Sequence, residues 1–133
     1  AVAGGDDYDG YSFDVLYERP TDDGGAVTME AAYYDFAGTQ SSNDGNSYFL
    51  MVSRMSGSDV VVGPASGRLV PYYRHQNFDR DAALATDRIR SNDFGVHLLM
   101  NGNNSRFTLE YSKSELDSGD SSEDVRFGYQ LQF

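Results

Sequence analysis

Cysteine is absent from the chain, which excludes a disulfide framework, a thiolate metal site and a cysteine nucleophile. Tryptophan is also absent, proline occurs three times, and Lys113 is the only lysine among ten basic residues set against 21 acidic ones. The resulting net charge of -11 argues against nucleic-acid binding, which needs a basic stripe to neutralise phosphates. No run approaches the roughly 18 consecutive apolar residues that a membrane-spanning helix requires, and the mean hydropathy of -0.55 agrees. No basic-then-apolar signal segment opens the sequence at Ala1, which leaves a mature, trimmed or cytosolic chain open. At 133 residues the length suits one domain spanning 1–133.

Aromatic residues are plentiful: ten Tyr and eight Phe make 14% of the chain, a bias toward strands. Residues 124–133 read DVRFGYQLQF. Val125, Phe127, Tyr129, Leu131 and Phe133 share one face and Asp124, Arg126, Gly128, Gln130 and Gln132 the other, because strand side chains alternate with period two. A greasy face opposite a wet one suits a strand with lipid on one side and a water-filled lumen on the other. Ending on Phe133, the segment resembles the terminal strand of bacterial outer-membrane β-barrels, which implies that Phe127, Tyr129, Leu131 and Phe133 form a signal for the barrel assembly machinery.

The same alternation recurs upstream and predicts strands over 11–18, 26–36, 47–55, 68–78, 89–100 and 106–112, seven with the terminal one. The third has apolar residues on both faces, so its orientation stays open. Pro71 disfavours a central strand unless a bulge absorbs it. The acidic, Gly- and Ser-rich stretches between strands read as solvated loops. With the terminus periplasmic, 113–123, 79–87 and 38–46 become extracellular loops, the first of them long, while 101–104 and 22–25 become short turns. The stretch 56–67 breaks that pattern. An odd strand count is incompatible with both termini on one side of the membrane. The expectation is therefore an antiparallel transmembrane β-barrel of which about seven strands are present. Counting Val60, Val61 and Val62 as an eighth is disfavoured, because three residues cannot cross a layer that needs about 9 to 11.

If the aromatic faces meet lipid, the lumen receives Asp14, Glu18, Glu30, Arg74, Arg106, Glu110 and Arg126. Opposed rows of Arg and carboxylate create a transverse field that sorts solutes by charge and dipole; simple pairing across the wall is the plainer reading of the same residues. Tyr17, Tyr33, Tyr111 and Phe133 suit interfacial girdles or, equally, a sandwich core. His97, Ser105 and Asp93 make a Ser-His-Asp set on paper without a geometric warrant, and residues 117–124 carry many oxygens but lack EF-hand spacing. No enzyme activity, cofactor or resident metal is expected.

The phrases GYSFDVLYE (10–18), GGAVTMEAAYYDF (24–36), RLVPYYRHQ (68–76), RFTLEYS (106–112) and GYQLQF (128–133) resemble the C-terminal half of porins in the phosphate-selective O and P family. That resemblance implies a trimeric outer-membrane channel of about 16 strands for passive diffusion of small ions or solutes. It also implies contact with outer-membrane lipid and lipopolysaccharide, and a constriction on an inward-folded third loop upstream of Ala1. Phosphate-selective members line their eyelet with Lys and Arg, from which this acidic chain departs. Two other readings are a small eight-stranded structural or adhesive outer-membrane barrel and a soluble β-sandwich binding module.

Overall fold

A computed structural model describes residues 9–37, 45–80, 88–100 and 104–132. The fold is all-β. Seven long strands, β1 (Asp9–Pro20), β2 (Ala26–Ala37), β3 (Gly45–Met55), β5 (Ala65–Arg80), β6 (Arg88–Met100), β7 (Ser105–Leu116) and β8 (Ser121–Leu131), form one antiparallel sheet. The short β4 (Val60–Val62) pairs with the start of β5. Spatial order follows chain order, β1-β2-β3-β5-β6-β7-β8, as expected of strands joined by hairpins. Among the described residues each strand approaches only its hydrogen-bonded neighbours, so the sheet stays open and no second sheet packs on either face.

Two expectations are corrected. Residues 113–123 are not a long loop: β7 and β8 run on to Leu116 and Ser121 and close through a tight turn. There Gly119 takes φ +90 and donates its N–H to the Leu116 carbonyl at 3.0 Å; the Asp and Ser residues of this stretch therefore belong to strand ends and a turn. Val60–Val62 do form a strand, paired Val60↔Gly67 to Val62↔Ala65. It prolongs the β3–β5 hairpin at the rim and does not add a full-length strand, since three residues rise only about 10 Å. The connectors 38–44 and 81–87, most of the 101–104 turn, and Phe133 lie outside the described residues.

Pro71 is accommodated inside the sheet. It keeps its place opposite Val96 of β6, while the regular β3–β5 ladder ends at Ser53↔Tyr72, one residue earlier. A residue without an N–H cannot extend a ladder. The Ser56 N–H to Leu69 carbonyl bond at 2.8 Å picks the pairing up again beyond the break. At the same rim the β1–β2 turn is tight. Gly24 adopts φ +84, and a Cβ on Gly57 would stand 2.0 Å from the Asp23 carbonyl oxygen.

Candidate functional site

Register divides the sheet into two chemically distinct faces. One hydrogen-bonded row reads Tyr17, Met29, Val52, Tyr73, Phe94, Tyr111, Val125 across all seven long strands. The next row, on the opposite face, reads Glu18, Thr28, Ser53, Tyr72, Gly95, Glu110, Arg126, and its neighbour reads Leu16, Glu30, Met51, Arg74, Asp93, Ser112, Asp124. Strand β3, ambiguous by pattern, is thereby oriented: Tyr48, Leu50 and Val52 join the apolar face. Burial is inverted relative to a water-soluble sheet. On the central strands Asp93 is 1% exposed and Glu110 7%, whereas their neighbours Phe94 and Leu109 are 54% and 51% exposed. Side chains that crowd on one face and splay on the other mark a sheet curved toward its polar side.

The apolar face is a slanting band. On β1 its run is Tyr11, Phe13, Val15 and Tyr17, centred on residue 14; on β8 it is Val125, Phe127, Tyr129 and Leu131, centred on residue 128. The residue level with Asp14 on β8 is Ser122, so the band climbs six residues over six strand-to-strand steps. With about 3.3 Å per residue and about 4.8 Å between strands, a band perpendicular to a barrel axis implies strands inclined by about 35°, the tilt of closed barrels. An aromatic ring stands at the loop-side end of the band on six consecutive long strands: Tyr11, Tyr33, Tyr48, Tyr73, Phe94 and Tyr111. Two adjacent pairs of these rings touch, with centroids 6.0 Å apart for Tyr11 and Tyr33 and 4.9 Å for Tyr73 and Phe94. Tyr33 and Tyr111 thus sit on the border expected of a girdle, while Tyr17 marks the opposite border.

All seven lumen candidates fall on the polar face, but in three groups. Arg74 Nε lies 2.9 Å from Asp93 Oδ2 and its Nη2 3.2 Å from Glu110 Oε2. Arg126 Nη1 approaches Glu110 Oε1 at 3.4 Å, and its Nη2 lies 3.6 Å from Asp124. Tyr72 donates its hydroxyl to Glu110. Its ring occupies the space above Gly95, where a Cβ would meet Tyr72 Cζ at 2.2 Å, and stacks on His97 at 4.6 Å. Arg106 forms a second group with Gln130 at 2.6 Å. Asp14, Glu18 and Glu30 form the third: no described Arg or Lys nitrogen reaches them within 4.0 Å, and Glu18 accepts a hydrogen bond from Thr28 at 3.3 Å.

Sequence reading missed Asp93 as a lining residue. Besides Arg74 it accepts from Ser112 Oγ at 2.5 Å, Ser91 Oγ at 3.0 Å and Gln76 Nε2 at 3.1 Å. The signal was present: residues 89–100 alternate, and Phe94 on the apolar face puts Asp93 on the polar one. The paper triad does not assemble, since His97 Nδ1 is 2.8 Å from Thr108 Oγ1 while Asp93 is occupied as above. Among the described residues no three His, Cys, Asp or Glu side chains converge as metal ligands. Phe127, Tyr129 and Leu131 of the assembly-signal candidates lie exposed on the apolar face of β8.

The polar face carries opposed, mutually fixed charges, and among the described residues no element covers the aliphatic and aromatic groups of the other face. No protein-family model, curated protein or solved structure matches the chain.

Proposed function

We propose that the chain is part of the wall of an outer-membrane porin, a water-filled channel for passive diffusion of small ions or solutes. The observation that carries the reading is the slanting, aromatic-bordered apolar band on the exposed side of the sheet. A contiguous apolar surface of this extent is costly in water and matches the lipid-facing belt of a transmembrane barrel.

Direction of the strands bears on completeness. With seven long strands alternating in direction, β1 and β8 run the same way, so the two free edges cannot pair antiparallel with each other. An odd number of further strands brings them into an all-antiparallel barrel. One strand makes an eight-stranded barrel, whose interior is filled by side chains; nine make the 16-stranded channel of the resemblance. The 16-stranded alternative rests on the sequence resemblance; Asp14, Glu18 and Glu30 need either hydration in an aqueous lumen or partners on the strand that would flank β1. Trimeric assembly and phosphate-family membership rest on sequence resemblance.

The test is single-channel recording in a planar bilayer with the purified full gene product. Stepwise conductance supports the porin; a folded, detergent-dependent protein without conductance favours the small structural barrel; a protein that is soluble and monodisperse without detergent favours the β-sandwich module.

A further inference from the structure

Near the loop end of β5, β6 and β7 the polarity of the sheet reverses. The outer face turns polar, with His75, Asn77, Arg90, Asn92, Lys113 and Glu115, while the inner row reads Tyr34, Ser47, Phe78, Ile89, Leu116. These rungs lie beyond the apolar band, where both faces of the wall meet water. Water outside explains the polar exterior. It does not explain apolar rings on the inside.

Those rings line a groove of about 370 Å3 formed by Tyr34, Phe49, Phe78 and Ile89 together with Gln76 and Ser91. The volume falls within the range of about 300 to 1,000 Å3 usual for small-molecule sites, which likewise combine apolar walls with a few placed polar groups. Among the described residues no Asp, Glu, Lys, Arg or His lines it, so the described lining offers no direct partner for a charged ligand. The polar groups are held in place from below. Gln76 Nε2 and Ser91 Oγ both donate to Asp93, at 3.1 and 3.0 Å, which leaves the Gln76 carbonyl oxygen and the Ser91 oxygen lone pairs to accept. A purely apolar ligand would strip water from these acceptors without replacing it. A solute with an apolar face and hydroxyls around its edge satisfies both parts of the lining.

We propose that this groove is a binding site for a neutral polyhydroxylated solute of pyranose type, its C–H face on the rings of Tyr34, Phe49 and Phe78 and its hydroxyls donating to Gln76 and Ser91. The proposal deepens the porin reading and rests on it in one respect, that the concave face is the one open to water.

The experiment is saturation-transfer NMR on the full gene product in detergent micelles, with glucose, gluconate and phenol as probes. Transfer to the glucose ring protons is expected, with none to gluconate and with weaker binding of phenol. Phe78→Leu and Phe49→Leu keep apolar bulk but remove the flat ring, and each is expected to weaken glucose about three- to tenfold; Gln76→Leu is expected to weaken glucose and leave phenol unchanged. Absence of transfer to glucose, glucose binding that is indifferent to both Phe substitutions, or phenol binding tighter than glucose overturns the site. Conductance without sugar binding removes this proposal alone, and sugar binding without conductance removes the pore alone.

Discussion

Across β5–β8 each carboxylate of the polar face, Asp93, Glu110 and Asp124, has an arginine nitrogen within 4.0 Å; across β1 and β2 the carboxylates of Asp14, Glu18 and Glu30 have none among the described residues. The two halves carry similar residue types and differ in burial. Asp93 and Glu110 are almost fully covered, so their charges persist only with partners. The β1 carboxylates lie on an edge strand, are exposed and carry no such requirement. One sheet thus combines a self-neutralised charge network on its central strands with a strip of carboxylates that no described arginine neutralises.

The largest effect expected from this contrast is on stability. Asp93→Ala leaves Arg74 short of one partner and strands Ser91, Ser112 and Gln76, and it is expected to cost about 3 kcal/mol or more in urea unfolding from detergent. Glu18→Ala and Glu30→Ala are expected to stay within about 0.5 kcal/mol. Equal losses in the two halves would erase the distinction. Next in size is Gly95→Ala. The new methyl displaces the Tyr72 ring from its seat beside Glu110, with an expected cost of about 1 to 3 kcal/mol, and Tyr72→Ala in the same background should relieve the clash.

The converse change acts on permeation. Replacing Asp14, Glu18 and Glu30 together by Asn, Gln and Gln should leave the unfolding midpoint nearly unmoved and lower the cation-to-anion permeability ratio in reversal-potential measurements. An unchanged ratio would mean that these carboxylates lie away from the ion path. The smallest effect belongs to the rim turn. Asp23 accepts from Thr21 Oγ1 and, at 3.1 Å, from the Gly25 N–H, with Arg54 3.6 Å away, and its pKa is held below 3.8, chiefly by the Thr21 bond. A depressed folded-state pKa contributes stability above the unfolded value that is lost as pH falls through the folded one. Asp23→Asn should therefore lower stability slightly at neutral pH and flatten the acid end of the profile, where the native protein loses the same contribution.

Alternation alone located the seven long strands, because period-two patterning is a direct imprint of two different environments. It failed where both faces have similar chemistry. Strand β3 carries Tyr48, Leu50 and Val52 against Phe49 and Met51, and only pairing with Ala32 and Gln76 shows that Phe49 points inward. Residues 113–123 looked like a loop because Ser, Lys, Glu and Asp dominate both sides of the strand there, as the wall stands clear of the apolar band. The seven lining candidates were readable by face, but their grouping was not. That Arg74 spans Asp93 and Glu110 depends on a register shared by three strands, which no single segment encodes. The inward apolar side chains near the loop end escaped notice for the same reason, since Tyr34, Phe78, Ile89 and Leu116 are aligned only by pairing.

The lack of native cysteine makes single-cysteine spin labelling direct. Labels at Phe13, Leu50, Leu109 and Phe127, in the protein reconstituted into bilayers, should collide preferentially with oxygen dissolved in lipid, while labels at Ser12, Ser53, Thr108 and Gln130 collide preferentially with a water-soluble nickel chelate. Nickel access at the first set equal to that at the second, or both sets shielded from both reagents, would contradict the assignment of the aromatic face to lipid.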